Sequence, residues 1–505
     1  MLEIHAIPLE HPVLENKEAR MLFFEECTVT LNGRPARVRL CRESAIPFNR
    51  GFPGTQRPGD QTESAGFVSF SADEPVRVAV SGGSSEGRAV VRPLSSGVSL
   101  VETRTGTVEF TLEKPGYYVL EQGSSHHALY FFYDAPAPAG EDGKSARWHF
   151  GPGIHFPGLI RLKSGDSVYI DPAAIVFGCI FGKDARNIRI FGGGTLHGGM
   201  TERFFRSFYE DIQGSTIKFY NSSDIRISGI IVQDSPCWTT SFFGCSDIRI
   251  DHVKIVGQWR YNTDGIDLCN TDHVEILDSF VRSFDDAIVL KGVDHANLTT
   301  VNWRQARPVT DITVHNCVVW CGWGRTLEVG IETASPEFAR ILFEDCDLIH
   351  NSAVCMDIQN GNDADIHDVT FRNIRIEYQA DALPEVLQLT DSQTYRPGPY
   401  YQGADKPFDE TRKWMGLPKL LFIDNHKYGF PGVFGSTHDI LFENITVTAE
   451  PDVPLKLPVR IANLSDAAVC RDITLRNLTV NGKRLEGTHD VAYDTEGNVE
   501  NVSWE

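Results

Sequence analysis

From residue 187 onward, one short pattern of apolar and polar positions keeps returning. A polar residue, mostly Asp, Asn or His, precedes two apolar positions separated by one variable position. A small or polar residue and a second apolar step follow. The pattern reads NIRIFGGGTL from 187, DIRISGIIVQ from 224, DIRIDHVKIV from 247, HVEILDSFVR from 273 and DITVHNCVVW from 311. It returns as RILFEDCDLI from 340, DVTFRNIRIE from 368, DILFENITVT from 439 and DITLRNLTVN from 472. The shortest steps between starts are 23 and 26 residues. Alternation of period two marks strands, and a unit this short holds two strands and tight turns with no room for a helix. Such a unit cannot bury its own apolar side chains, so stacking of units must supply the core, which is the logic of a parallel β-solenoid. Longer steps are the same coil with loops added, which predicts insertions at 292–310 and 379–437. The second carries Tyr395, Tyr400, Tyr401, Trp414, His426 and Tyr428, aromatics expected to form a binding surface.

Residues 1–140 have a different texture. Eight short alternating runs between Thr28 and Tyr133, separated by Gly, Pro, Ser and Asn/Asp turns, predict an antiparallel β-sandwich. The stretch DAPAPAGEDGK at 134–144 reads as a linker. The expected architecture is therefore all-β, with a sandwich over 1–140 and a parallel β-helix over 141–505.

Charge and composition narrow the function. With 68 acidic against 47 basic side chains, the net charge is −21, a surface that repels phosphates and anionic lipid. Neither nucleic acid nor a membrane is an expected partner. The first residues lack the apolar core of a secretory signal, and eleven cysteines without CxxC or Cys/His spacing read as reduced, buried side chains. A cytoplasmic location follows as the expectation, and with it a short imported substrate and exo-action. Flat solenoid sides leave room for a homo-oligomer. No GxSxG elbow, Walker loop or HExxH sequence occurs, and no cofactor is expected.

The candidate chemistry lies in two fragments, Asn262-Thr263-Asp264-Gly265 and Phe284-Asp285-Asp286-Ala287, with Asp285 21 residues after Asp264. That is close to one coil, and neighbouring rungs stack at about 4.8 Å. Asp264 is therefore expected beside Asp285 and Asp286 at an accessible edge. Carboxyl groups this close repel, so at least one should hold a proton near neutral pH. Glycoside hydrolysis needs that division between a protonated acid and an ionised partner. Solenoid turns also use Asp to bond backbone amides, and stacked carboxylates can hold Ca²⁺. With no further ligands at short spacing, no metal is expected.

The order Ser235-Pro236-x-Trp238, NTDGIDL at 262–268 and DDAIVLKG at 285–292 resembles glycoside hydrolase family 28, the polygalacturonases, and the related family 49 of dextranases and isopullulanases. The resemblance covers about 150–352, and the sandwich before the helix looks more like family 49. It implies a right-handed parallel β-helix and inversion by single displacement. Asp285 would be the general acid, Asp264 and Asp286 would activate water, and Asn262, Trp238 and Lys291 would bind substrate, Lys291 also helping to shape the site. Two family features depart. The Gly-His-Gly stretch is replaced by Gly322-Trp323-Gly324-Arg325, and the Arg-Ile-Lys stretch by Asp357-Ile358-Gln359. A uronate facing Asp357 would be repelled, so a neutral oligosaccharide or glycoside is the expected substrate. Trp323 would stack its ring, while Arg325, Glu328, Asp357 and Gln359 would reach its hydroxyls. The alternatives are another β-helix carbohydrate enzyme (lyase, epimerase or transglycosidase) or a non-catalytic carbohydrate-binding solenoid.

Overall fold

The computed structural model describes the chain except residues 9–21, 45–61, 84–87, 104–105, 124, 127, 139–142, 202–213, 261, 294–306, 380–416, 427–433 and 455. In the first part, a six-stranded sheet and a five-stranded sheet lie face to face. Inward positions of both, among them Val29, Leu31, Val78, Val80, Phe70 and Phe131, form one apolar cluster. The sandwich is not wholly antiparallel, because Leu129–Asp134 runs parallel to Thr62–Ser71. Between the two, the chain passes through strands of both sheets and returns on the same heading.

From Trp148 the chain winds through a 12-stranded sheet and a 21-stranded sheet. The inter-coil pairings in both are parallel, for example Ile248↔Val274 and Leu268↔Leu290. This is the parallel β-helix that the repeat predicts. The nine repeats become nine consecutive strands of the 12-stranded sheet, from Arg186–Gly192 to Cys470–Arg476. Their first apolar residues stack in register as Ile188, Ile225, Ile248, Val274, Ile312, Ile341, Val369, Ile440 and Ile473. All are buried in one cluster along the axis.

The polar residue that opens each repeat has a backbone reason. Asn187, Asp224, Asp247, His273, Asp311, Arg340, Asp368, Asp439 and Asp472 all have φ between 50° and 59°. Five residues on, a second left-handed residue recurs, as at Gly229 (φ 74°), Asn316 (φ 53°) and Asn444 (φ 56°). Asn and Asp enter this region more readily than β-branched residues because their short side chains bond the local backbone. Each strand is thus bracketed by two kinks that turn the chain onto the next face.

The insertions differ from expectation. Residues 309 and 310 belong to the strand Val309–His315. The stretch 379–437 contains a whole rung, Lys419–Asn425, which pairs with Val354–Asn360 before it and Pro458–Asn463 after it. Tyr395, Tyr400, Tyr401, Trp414 and Tyr428 lie outside the described residues, while His426 directly follows that rung.

The sandwich docks on one face of the helix. Phe67, Tyr130 and Phe132 pack on Ile231, Phe280, Trp320 and Ile349. Buried ion pairs flank them: Arg92 bonds Glu121 at 2.7 Å and also Glu377, and His350 meets Glu121. The strands that carry Asp267 and Lys291 belong to a different face, which this contact leaves alone.

The left-handed openings are directly testable. Asp224→Gly should leave stability within a few tenths of a kcal/mol. Asp224→Val should cost about 1–2 kcal/mol, read from the denaturant midpoint of each variant.

Candidate active site

The strands Ile266–Cys269, Ile288–Gly292, Arg325–Thr333 and Val354–Asn360 are four successive rungs of one sheet. Asp264 and Asp286 sit just before the first two, so the turns bring them together. Lys291 binds them into one group. Its Nζ lies 3.1 Å from Asp264 Oδ2, 3.5 Å from Asp267 Oδ1 and 3.7 Å from Asp286 Oδ2. It also sits 4.1 Å from the centre of the Trp238 ring. Asn262, at φ 55°, donates from Nδ2 to Asp285 Oδ2 at 3.3 Å.

One expectation needs correction. The trio was expected at an open edge, but Asp264, Asp285 and Asp286 are only 1%, 4% and 6% exposed. The site is recessed, and its remaining access is through Asp285 and Asp286. Arg325 lines that side with 29% of its side chain exposed.

Burial separates the protonation states. Asp285 is pushed well above the usual carboxylate range, first by burial and then by Asp286 and Asp264. Burial would raise Asp286 too. Arg325 and Lys291 outweigh it and hold Asp286 below the ordinary value, helped by the Arg325 amide, which donates to Oδ1 at 3.0 Å. Asp264 is raised to about 6, with burial opposed by Lys291. The Lys291 ammonium itself is held well above its usual value, because Asp264, Glu332, Asp267 and Asp286 overcome its desolvation.

The remaining predicted residues do not line a sugar surface in the expected way. Trp323 stacks on Phe284 with ring centres 5.7 Å apart and planes 7° from parallel. Glu328 and Asp357 are fully buried behind Arg325, whose Nε lies 3.8 Å from Glu328 and 3.4 Å from Asp357. Gln359 spends its amide on Asp357, donating at 2.6 Å. Burial raises Asp357 to about 7 against the opposing pull of Arg325. Fully buried and paired with that guanidinium at 3.4 Å, Asp357 does not face an incoming sugar; that it would was the basis for expecting a neutral one.

Two contributors went unread in the sequence. Asp267, within NTDGIDL, is a carboxyl group set between apolar strand residues, a mismatch that could have flagged it. Gly324 matters for space: a Cβ there would lie 2.5 Å from both Asp285 Oδ1 and Asp286 Oδ1. Only glycine lets this rung close over the two carboxyl groups. All eleven cysteines are buried, and none forms a disulfide. Among the described residues, the one group with metal-binding geometry is His315, Glu344 and Asp345, on the opposite sheet. Beside the trio, the Lys291 ammonium occupies the centre of the carboxylates.

Comparison with known proteins agrees with this geometry. Residues 178–382 match the family model "Glycosyl hydrolases family 28". The chain is 27% identical over 215 residues to a probable exopolygalacturonase B of Aspergillus terreus, across 38% of this chain and 45% of that protein. It is 25% identical over 370 residues to the exopolygalacturonase B of Aspergillus niger, across 68% of this chain and 70% of that one. The chain thus matches less than half the length of the first relative. In fold, it superposes on Dex49A from Penicillium minioluteum with a TM-score of 0.62 at 13% identity, over 94% and 93% of the two chains. Residues 178–382, whose rungs carry the aspartate trio, are thus similar to the family 28 glycosyl hydrolases, and the chain as a whole shares the fold of Dex49A.

Proposed function

We propose that the protein is an exo-acting glycoside hydrolase that inverts the anomeric centre, with Asp285 as general acid and Asp264 and Asp286 activating the attacking water. The observation that carries this reading is the opposite shift of two adjacent carboxyl groups, Asp285 up and Asp286 down. A glycosidase needs one carboxyl group protonated to meet the leaving oxygen and another ionised to take a proton from water. Asn262 orients the acid, and Lys291 helps to keep the base ionised.

The substrate reading moves from a neutral sugar to a galacturonate-terminated chain. Two observations support the change. The relatives are named exopolygalacturonases. In the site itself, the acids behind Arg325 are buried, so an incoming carboxylate meets the part-exposed guanidinium first.

Incubation with oligogalacturonides should release single galacturonate units, and proton NMR of the first product should show the inverted anomer. Release from neutral oligosaccharides alone would exclude the uronate assignment. Asp285→Asn should lower kcat roughly a thousandfold while the thermal midpoint stays in place. The rate should fall as pH drops through about 6, where Asp264 takes up its proton, and again as alkali removes the proton from Asp285. Gly324→Ala should lower kcat by about a hundredfold or more, since displacement by an ångström misaligns acid and base. Its far-ultraviolet spectrum should match wild type.

A further inference from the structure

Behind the trio stand two more carboxyl groups, Asp267 and Glu328, neither with any exposed surface. No N–H or O–H among the described residues donates a hydrogen bond to any of their four oxygens. Each instead touches one member of the water-activating pair, Asp267 against Asp264 and Glu328 against Asp286, at hydrogen-bonding range. Two carboxylate ions cannot share such a contact, because each is only an acceptor. A proton must lie in each pair.

The nearby cations decide where it lies. Lys291 is closer to Asp264 (3.1 Å) than to Asp267 (3.5 Å). Arg325 gives Asp286 an amide at 3.0 Å and a guanidinium nitrogen at 3.5 Å, while its approach to Glu328 is 3.8 Å. In both pairs the inner acid is the worse place for a negative charge. We propose that Asp267 and Glu328 are positioning residues that remain neutral and donate hydrogen bonds to Asp264 and Asp286, keeping both water-activating carboxylates ionised and aimed. This rests on the hydrolase reading of the trio.

The surroundings agree. Asp267 faces Asp264, Lys291 and Asp286, with the Cys269 thiol on its own strand and the uncharged Ser241 on the preceding rung. Glu328 faces Asp286, Arg325, Asp357 and Lys291. Burial drives both groups well above the usual range, and the adjacent acids add to it. A hydrogen bond to the charged form lowers the pKa of the acceptor, and this loss is what the test reads.

The measurement is the acidic limb of kcat/KM against pH, which reports the base in the free enzyme. Asp267→Asn keeps a neutral donor, so its limb should stay at the wild-type position. Asp267→Val removes the donor and should move the limb up by about one pH unit. Glu328 acts on Asp286, which ionises below that limb, so its test is rescue: Glu328→Gln should keep the wild-type kcat and Glu328→Leu should lower it at least tenfold, and equal losses in the two would overturn the role of Glu328. An ionised Asp267 predicts the opposite sign: either substitution removes a negative charge beside Asp264 and moves the limb down. A downward shift in Asp267→Asn therefore overturns the proposal, as does a Val variant whose limb does not move. Should the Val variant not fold, the Asn variant decides alone by the same sign. Wild type without glycosidase turnover would instead refute the hydrolase reading. Turnover abolished by Asp285→Asn together with a lowered limb in Asp267→Asn would refute only the role of the inner acids.

Discussion

Charge imbalance in a buried space governs this protein's chemistry. Six carboxyl groups, Asp264, Asp267, Asp285, Asp286, Glu328 and Asp357, surround two cations, Lys291 and Arg325. Full ionisation would leave several uncompensated charges in a low-dielectric interior, at a cost no fold of ordinary stability could sustain. Protons must remain, and geometry distributes them. Asp286 is next to both cations and is held below the ordinary carboxylate range, whereas Asp285, buried beside Asp286 and Asp264, is pushed above it. Two adjacent residues of the same type thus come to opposite protonation states.

The solenoid makes that crowding possible. Parallel rungs place equivalent positions of successive coils about 4.8 Å apart, closer than a water-separated pair of ions would choose. The axial stack from Ile188 to Ile473 holds the rungs, and the left-handed corners turn each strand to the next face. The sandwich seals a different face with Phe67, Tyr130 and Phe132. Its docking therefore adds stability without taking up the face where the acids gather.

The helix and the trio were legible in the sequence because both obey the coil period. The Asx residue that opens each repeat reports a backbone constraint, and 21 residues between Asp264 and Asp285 report one turn. The rung Lys419–Asn425 escaped notice because KLLFIDN is a continuous apolar run that no corner-forming Asx opens. The roles given to Glu328, Asp357 and Gln359 failed for a related reason. Spacing says that a residue points toward the groove, but not how deep behind a neighbour it lies, and Arg325 stands in front. Asp267 was passed over because its strand neighbours are apolar, although a carboxyl group in such company has to find a proton or a cation. Access to the trio depends on side-chain packing across rungs, which no linear pattern encodes.

Gly324 carries a consequence for redesign. Because its missing side chain lets one rung cover two acids, Asp285 and Asp286 are walled by main chain, which mutation cannot trim or enlarge. Altering what this site accepts must therefore work through the guanidinium side of the cleft, and there each exchanged charge alters the proton held one rung away. Useful variants would have to come as compensating couples, so a search that changes one position at a time would pass them by.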